Sequence, residues 1–384
     1  MGHILQCHEI IQSNFIRGEN CYLYDDQGQK YIDFESGIWC TALGHNHPRI
    51  IQVIQDQCQA IMHLGTRYPN QKVEDAAKAV LGIIGFEGKC VFLSSGSEAV
   101  EFGSQAIRRV TGKKFLLTFA NSYLSAFGSA GRKNPEEWYL LDWKNLNEKN
   151  YQASLDSIPF DQIGGFVFEP GGSGSAFVKF PPEHLVKDIF QRIKQSGGWI
   201  AANEVTTGMG RTGKWFGFQH YDILPDIVSI GKGLGNGYPV SAVAMRSEFA
   251  QLLEDSDLHY AQSHQNDPLG CAVAKEVITI MREENLINRG AETGSYFLEC
   301  LKELASRFPI IREARGRGML LGLEFQSHPS FSAESAFREL YKNRILAGYY
   351  PAGNILRFDP ALTIEKENIQ NLSNVLENIL KPKT

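Results

Sequence analysis

A lysine sits two residues beyond the apolar run "DIVSI" (226–230), inside the glycine-rich stretch "SIGKGLGNGYPVSA". Glycine lets backbone or ligand come close, and an ammonium that loses water there has a lowered pKa. Lys232 then becomes a nucleophile toward carbonyl carbon. Taken alone it reads as a solvated loop lysine. Other polar residues follow apolar runs in the same way. Ser95, Gly96 and Ser97 follow "KCVFL" (89–93), and Tyr123 follows "FLLTFA" (115–120). Glu169 follows "GGFVF" (164–168), and Asn203 follows "GGWIAA" (197–202). In "SSGSEAVEFGSQAIRRV", Ser94 or Ser95 can cap a helix whose first turn carries Glu98 and Glu101. A strand, a Gly-Ser turn and a helix start present free N–H groups to an anion such as phosphate. The plain reading of that stretch is an ordinary capped helix.

These residues need a scaffold. The apolar runs alternate with helical stretches, which predicts an α/β fold, a mostly parallel sheet covered by helices. Ligands in such sheets sit beyond the carboxyl ends of the strands, so the residues named above should gather at one sheet edge. The stretch "GMGRTG" (208–213) fits a dinucleotide-binding spacing. The residues directly after it, "KWFGFQHYDILPD", have no helical period, and the reading is set aside.

Composition narrows the partners. A chain of 384 residues can form two domains, and 43% hydrophobic with 21% charged residues is a globular balance. The formal net charge of −5 argues against nucleic acid. No apolar run reaches membrane-spanning length, and "MGHILQCHEIIQSNF" has no signal-peptide pattern. The seven cysteines form no CxxC pair, which argues against zinc or another metal and for free thiols in the cytoplasm.

A phosphate cradle, an aromatic at a strand tip, an acid or amide at another and a nucleophilic lysine together suit pyridoxal 5'-phosphate (PLP). Here a resemblance becomes plain. The chain resembles the class III aminotransferases, fold-type I PLP enzymes of the acetylornithine/ornithine/4-aminobutyrate group. It does so through "GENCYLYDDQGQKYIDFESGIWCTALGHNHPRI", "SSGSEAVE", "FEPGGSGS", "NEVTTGMGRTGKWFGFQHYDILPDIVSIGKGLGNGYP", "SHQNDPLGCAVA", "ARGRGMLLGLEF" and "NILRFDPALTI". The 29 positions from Asn203 to Lys232 match the family's spacing.

The resemblance implies a large PLP domain over residues 45–290, and a smaller α+β domain built from 1–44 and 291–384. The stretch 282–308, with Leu286, Ile287, Phe297, Leu298, Leu301 and Leu304 as its apolar stripe, should be one helix leading into the small domain. Lys232 is the implied Schiff-base lysine and proton shuttle. Ser95, Gly96 and Ser97 bind phosphate, Tyr123 and Val205 cover the two ring faces, and Thr206 stands beside the ring hydroxyl. Glu169 lies near the cofactor. Ser263 stands where the family has a threonine that reaches a neighbouring subunit's phosphate, implying a homodimer with shared sites. Arg357 matches an arginine that grips a substrate carboxylate, and Trp39 either lines the pocket or belongs to the core.

Several positions depart from the family. Asn203 replaces an aspartate that keeps the pyridine nitrogen protonated. Thr206 replaces a common glutamine, and Leu124-Ser125 replaces a common His-Gly. The glutamate that masks the carboxylate-binding arginine in some members falls at Gly174, so that gate should be missing. Asn carries no charge, so the ring nitrogen should lose protons more readily and draw electrons less strongly. The implied activity is amino transfer between an amino acid or amine and a 2-oxo acid. The alternatives are a racemase, epimerase or aminomutase, and a weakly active or non-catalytic PLP binder.

Overall fold

The computed structural model describes residues 3–11, 13–172 and 178–381. Near the N-terminus lie β1 (Phe15–Glu19), β2 (Tyr22–Asp25) and β3 (Lys30–Asp33). The middle of the chain supplies β4 (Gly88–Leu93), β5 (Phe115–Phe119), β6 (Trp138–Leu141), β7 (Ile163–Phe168), β8 (Trp199–Asn203), β9 (Ile227–Ile230) and β10 (Ser241–Arg246). Toward the C-terminus come β11 (Ile311–Arg317), β12 (Leu320–Phe325), β13 (Ile345–Leu346), β14 (Gly348–Tyr350) and β15 (Ile355–Phe358).

The central sheet has the order β4-β10-β9-β8-β7-β5-β6. Only β10 runs antiparallel to its neighbours; the rest pair in parallel, as the sequence rhythm predicts. Strands β7 and β9 are buried at every position, which explains their unbroken apolar character. Helices Gly96–Thr111 and Glu183–Gln195 cover the sheet with buried stripes at helical spacing.

Two smaller four-stranded sheets flank this core, ordered β1-β2-β3-β13 and β11-β12-β15-β14. In the first, β13 pairs in parallel with β3, Ile345 opposite Ile32, so the two ends of the chain share one sheet. The expected helix over 282–308 is instead two. One helix ends at Glu283, Asn285 takes a left-handed conformation (φ +51°), and a second runs Leu286–Arg307. Asn tolerates that conformation, and the polar run "REEN" has no apolar stripe to carry a helix through.

A second left-handed stretch matters more. Ser36, Gly37, Ile38 and Trp39 have consecutive φ values of 45°, 59°, 60° and 65°. Such backbone costs non-glycine residues roughly 1–2 kcal/mol each. It turns the chain directly after β3 and carries Glu35 and Trp39 toward β15.

Candidate active site

The helix Gly96–Thr111 starts directly beyond β4. Ser95 is its N-cap: its Oγ accepts from the Glu98 N–H at 3.3 Å and donates to Glu98 Oε2 at 2.9 Å. The Ser94 N–H donates to the same carboxylate oxygen at 3.1 Å. Among the described residues, the Gly96 and Ser97 N–H groups have no protein partner, and they open the positive end of a 16-residue helix. A Cβ on Gly96 would lie 2.5 Å from Val205 Cγ1, so only glycine fits this turn. Ser97 Oγ accepts from the Ala126 N–H at 2.9 Å, tying the loop after β5 to the helix.

Lys232 lies two residues past β9 in a left-handed conformation (φ +46°). Its Nζ donates to Thr206 Oγ1 at 3.0 Å and sits 5.3 Å from the Trp39 ring centre. Burial pushes its pKa down, which makes the neutral amine more accessible.

Asn203 ends β8 and is 4% exposed. Its Nδ2 donates to the Tyr123 carbonyl at 3.0 Å, and its Oδ1 accepts from the Val205 N–H at 3.2 Å. Glu169, buried at the end of β7, accepts from the Tyr123 N–H at 3.2 Å. Two strand tips therefore hold the backbone of Tyr123, while the residue stays 48% exposed. One hydrogen on Asn203 Nδ2 and one lone pair on Oδ1 remain for a further partner.

Arg357, on β15, lies across the site. Its guanidinium carbon sits 3.9 Å above the Trp39 ring centre, and a Cβ on Gly348 would strike Nη2 from the other side at 2.4 Å. Its Nε donates to Asp359 Oδ1 at 2.7 Å, Nη1 to Tyr350 Oη at 3.3 Å and Nη2 to Glu35 Oε1 at 2.5 Å. Burial raises the Asp359 carboxyl to about 6 and the Glu35 carboxyl to about 7, despite the opposing pull of Arg357. Trp39 is buried, at 8% exposed, with Lys232 and Arg357 over its ring.

The structure brings together Ser95, Gly96, Ser97, Tyr123, Glu169, Asn203, Val205, Thr206 and Lys232 at one sheet edge, with Trp39 linking them to Arg357. Ser263 lies in an exposed turn. Its neighbour Gln262 donates to Ser94 Oγ and Glu98 Oε1, both at 3.0 Å. Gly174 lies outside the described residues. Glu35 and Asp359 were not foreseen: a glutamate beside "SG" and an aspartate before a proline carry no local signal. Glu204, 1% exposed, was missed too; it accepts from the N–H groups of Gly217 and Phe218 at 2.8 and 2.7 Å. Beyond "GMGRTG" comes only a four-residue 3₁₀ turn, Gly217–His220. Against an expectation of no metal, His63 and His264 approach one carboxylate, Asp267, at 2.7 and 2.5 Å. Each imidazole spends its Nδ1 on that carboxylate.

Unpaired helix-start N–H groups, an exposed tyrosine, a part-satisfied amide and a desolvated amine suit a phosphate, a flat heterocycle, its ring nitrogen and an aldehyde respectively. The sequence model of the class III aminotransferases matches residues 6–130 and 132–380. The acetylornithine aminotransferase of Aquifex aeolicus is 30% identical over 99% of this chain and 100% of its own length. The alanine/serine racemase of Pyrococcus horikoshii is 26% identical over 95% of this chain and 85% of its own. The crystal structure of acetylornithine aminotransferase from Elizabethkingia anophelis superposes with a TM-score of 0.86 at 25% identity, covering 99% of this chain and 96% of that one.

Proposed function

This chain belongs to the class III aminotransferases, and from that premise we propose that it moves an amino group between a carboxylate-bearing donor and a 2-oxo acid, with Lys232 as the residue that carries its cofactor. The family depends on PLP, so PLP is the cofactor. When bound, PLP offers an aldehyde to the substrate amine and a ring that takes up electrons from the substrate Cα–H bond.

The observation that carries the reading is the desolvated amine of Lys232 on a loop whose preceding residue, Gly231, lies against Gly96 and Val205, so that the amine and the unpaired N–H groups of Gly96 and Ser97 share one sheet edge. In this reading those N–H groups and Ser95 hold the phosphate, and Tyr123 and Val205 cover the ring. Glu169 keeps Tyr123 in place, and Thr206 orients Lys232 Nζ beside the ring hydroxyl. Lys232 Nζ, whose pKa burial pushes down, accepts and returns the substrate proton. Asn203 meets the ring nitrogen with its remaining hydrogen or lone pair and leaves it less protonated than aspartate would. Arg357 and Trp39 receive the substrate carboxylate end.

We further assign residues 45–290 to the PLP domain and 1–44 with 291–384 to the small domain, a division that the pairing of β3 with β13 supports. We infer a cytoplasmic homodimer with shared sites, Ser263 reaching the neighbouring phosphate. Exposed Ser263 and the free thiols agree with this. Among the described residues, no helix is long and apolar enough to cross a membrane.

A second reading is isomerisation, racemisation or epimerisation of an amino acid. Uncharged Asn203 and the likeness to an alanine/serine racemase favour it. Borohydride treatment of the PLP-loaded protein followed by peptide mapping should mark Lys232, and Lys232→Ala should carry no mark. Incubation with L-alanine or L-glutamate plus a 2-oxo acid should then yield the exchanged pair. A mark on another lysine would overturn the assignment, and D-amino acid without exchange would favour the second reading.

A further inference from the structure

We propose that Glu35 is a gate on Arg357, seated on the guanidinium until a substrate carboxylate takes its place. The proposal rests on the reading of Arg357 as the carboxylate site.

The geometry leaves one way in. Both faces of the guanidinium are covered, by the Trp39 ring at 3.9 Å and by the backbone at Gly348. Of its edges, Nε is held by Asp359, which is wholly buried, and Nη1 faces Tyr350 Oη. Either fork that could grip a carboxylate with two parallel bonds, Nε with Nη2 or Nη1 with Nη2, uses Nη2. Glu35 occupies that nitrogen at 2.5 Å.

Glu35 can leave and Asp359 cannot. The Glu35 side chain is 29% exposed, against none for Asp359. With Glu35 seated, Arg357, Asp359 and Glu35 carry one net negative charge. A substrate carboxylate in its place leaves that charge unchanged, so the exchange creates no new buried charge. A substrate without a carboxylate finds the guanidinium already satisfied. One pocket can thus serve an amino donor and an acceptor that differ at this end, which the two halves of amino transfer require.

The charged groups facing Glu35 are Arg357 on β15, Asp359 just beyond it and Asp33 on β3. Because Glu35 titrates near 7, acid should open the gate: a protonated carboxyl gives up the ion pair, and carboxylate binding strengthens as pH falls from 8 to 6.

The test is a titration of the PLP-loaded protein with glutarate, a non-reacting dicarboxylate, followed by cofactor absorbance at pH 6 and 8. A thermal-shift titration of the cofactor-free protein gives a second readout. Wild type should bind glutarate about 10-fold more weakly at pH 8 than at pH 6, the ratio of protonated fractions for a group titrating near 7. Glu35→Gln should bind at pH 8 as tightly as wild type does at pH 6, with little pH dependence. Glu35→Ala should behave alike. Glutarate binding that ignores residue 35 would overturn the gate alone. No glutarate binding by any of the proteins would overturn the gate and the Arg357 reading together, while a borohydride mark on Lys232 would still leave the cofactor assignment standing.

Discussion

The Asn203 side chain donates to the backbone carbonyl of Tyr123 across 3.0 Å, eighty residues away in sequence. An aspartate in the same pose would set an acceptor against an acceptor. The amide is therefore matched to the loop after β5, where Leu124 and Ser125 stand in place of the family's common pair.

Asn203→Asp should have two opposed effects. The carboxylate raises the ring nitrogen's pKa, so amino transfer from a donor should quicken by roughly 10-fold to 1000-fold, the scale of one preorganised electrostatic contact. The Tyr123 carbonyl loses its donor, so the cofactor-free protein should lose about 1–3 kcal/mol of stability. Stopped-flow spectra and denaturant unfolding measure the two separately. Unchanged rates and spectra would show that residue 203 does not govern the ring.

Arg357→Ala should weaken carboxylate-bearing substrates by roughly 2–5 kcal/mol in kcat/KM and spare PLP binding. Carboxylate-free amines should suffer far less. An equal loss for both classes would mark Arg357 as structural, the role its bonds to Asp359 and Glu35 would then serve.

Sedimentation of the PLP-loaded protein should show a dimer. A monomer that still turns over would remove Ser263 from the site.

Glu204 offers a pH signature. Burial raises its carboxyl to about 7 from the ordinary 4.5, so the folded state holds the proton more firmly than the unfolded one. Its contribution to stability is full below about pH 4.5 and is lost as pH rises to about 7. Glu204→Gln cannot accept from both Gly217 and Phe218, and should cost about 1–3 kcal/mol at pH 5, less at pH 7. Chemical denaturation at both pH values, read as the difference from wild type, checks the sign.

Much of the sheet edge was legible because its signals are local. Strands β4, β7 and β9 announce themselves as apolar runs, the Ser95 cap lies three residues from Glu98, and glycines bracket Lys232. The break at Asn285 was there to be read in the Asn itself, but an apolar stripe on both sides hid it. Glu35 on Arg357 could not be read at all. The two are 322 residues apart, and their contact depends on a left-handed turn and on the seating of β3 beside β13.

That separation also sets an order of manufacture. Glu35 and Trp39 leave the ribosome early, whereas every strand of the central sheet has been made once residue 246 emerges. Cofactor-side contacts can form then. The wall carrying Arg357 arrives about a hundred residues later, and until it does Phe34, 5.6 Å from Phe297 in the finished fold, lacks its other ring neighbour, Phe358, at 6.2 Å. A nascent chain stopped between these points would carry the whole central sheet, with Lys232 at its edge, and none of the wall that holds Arg357.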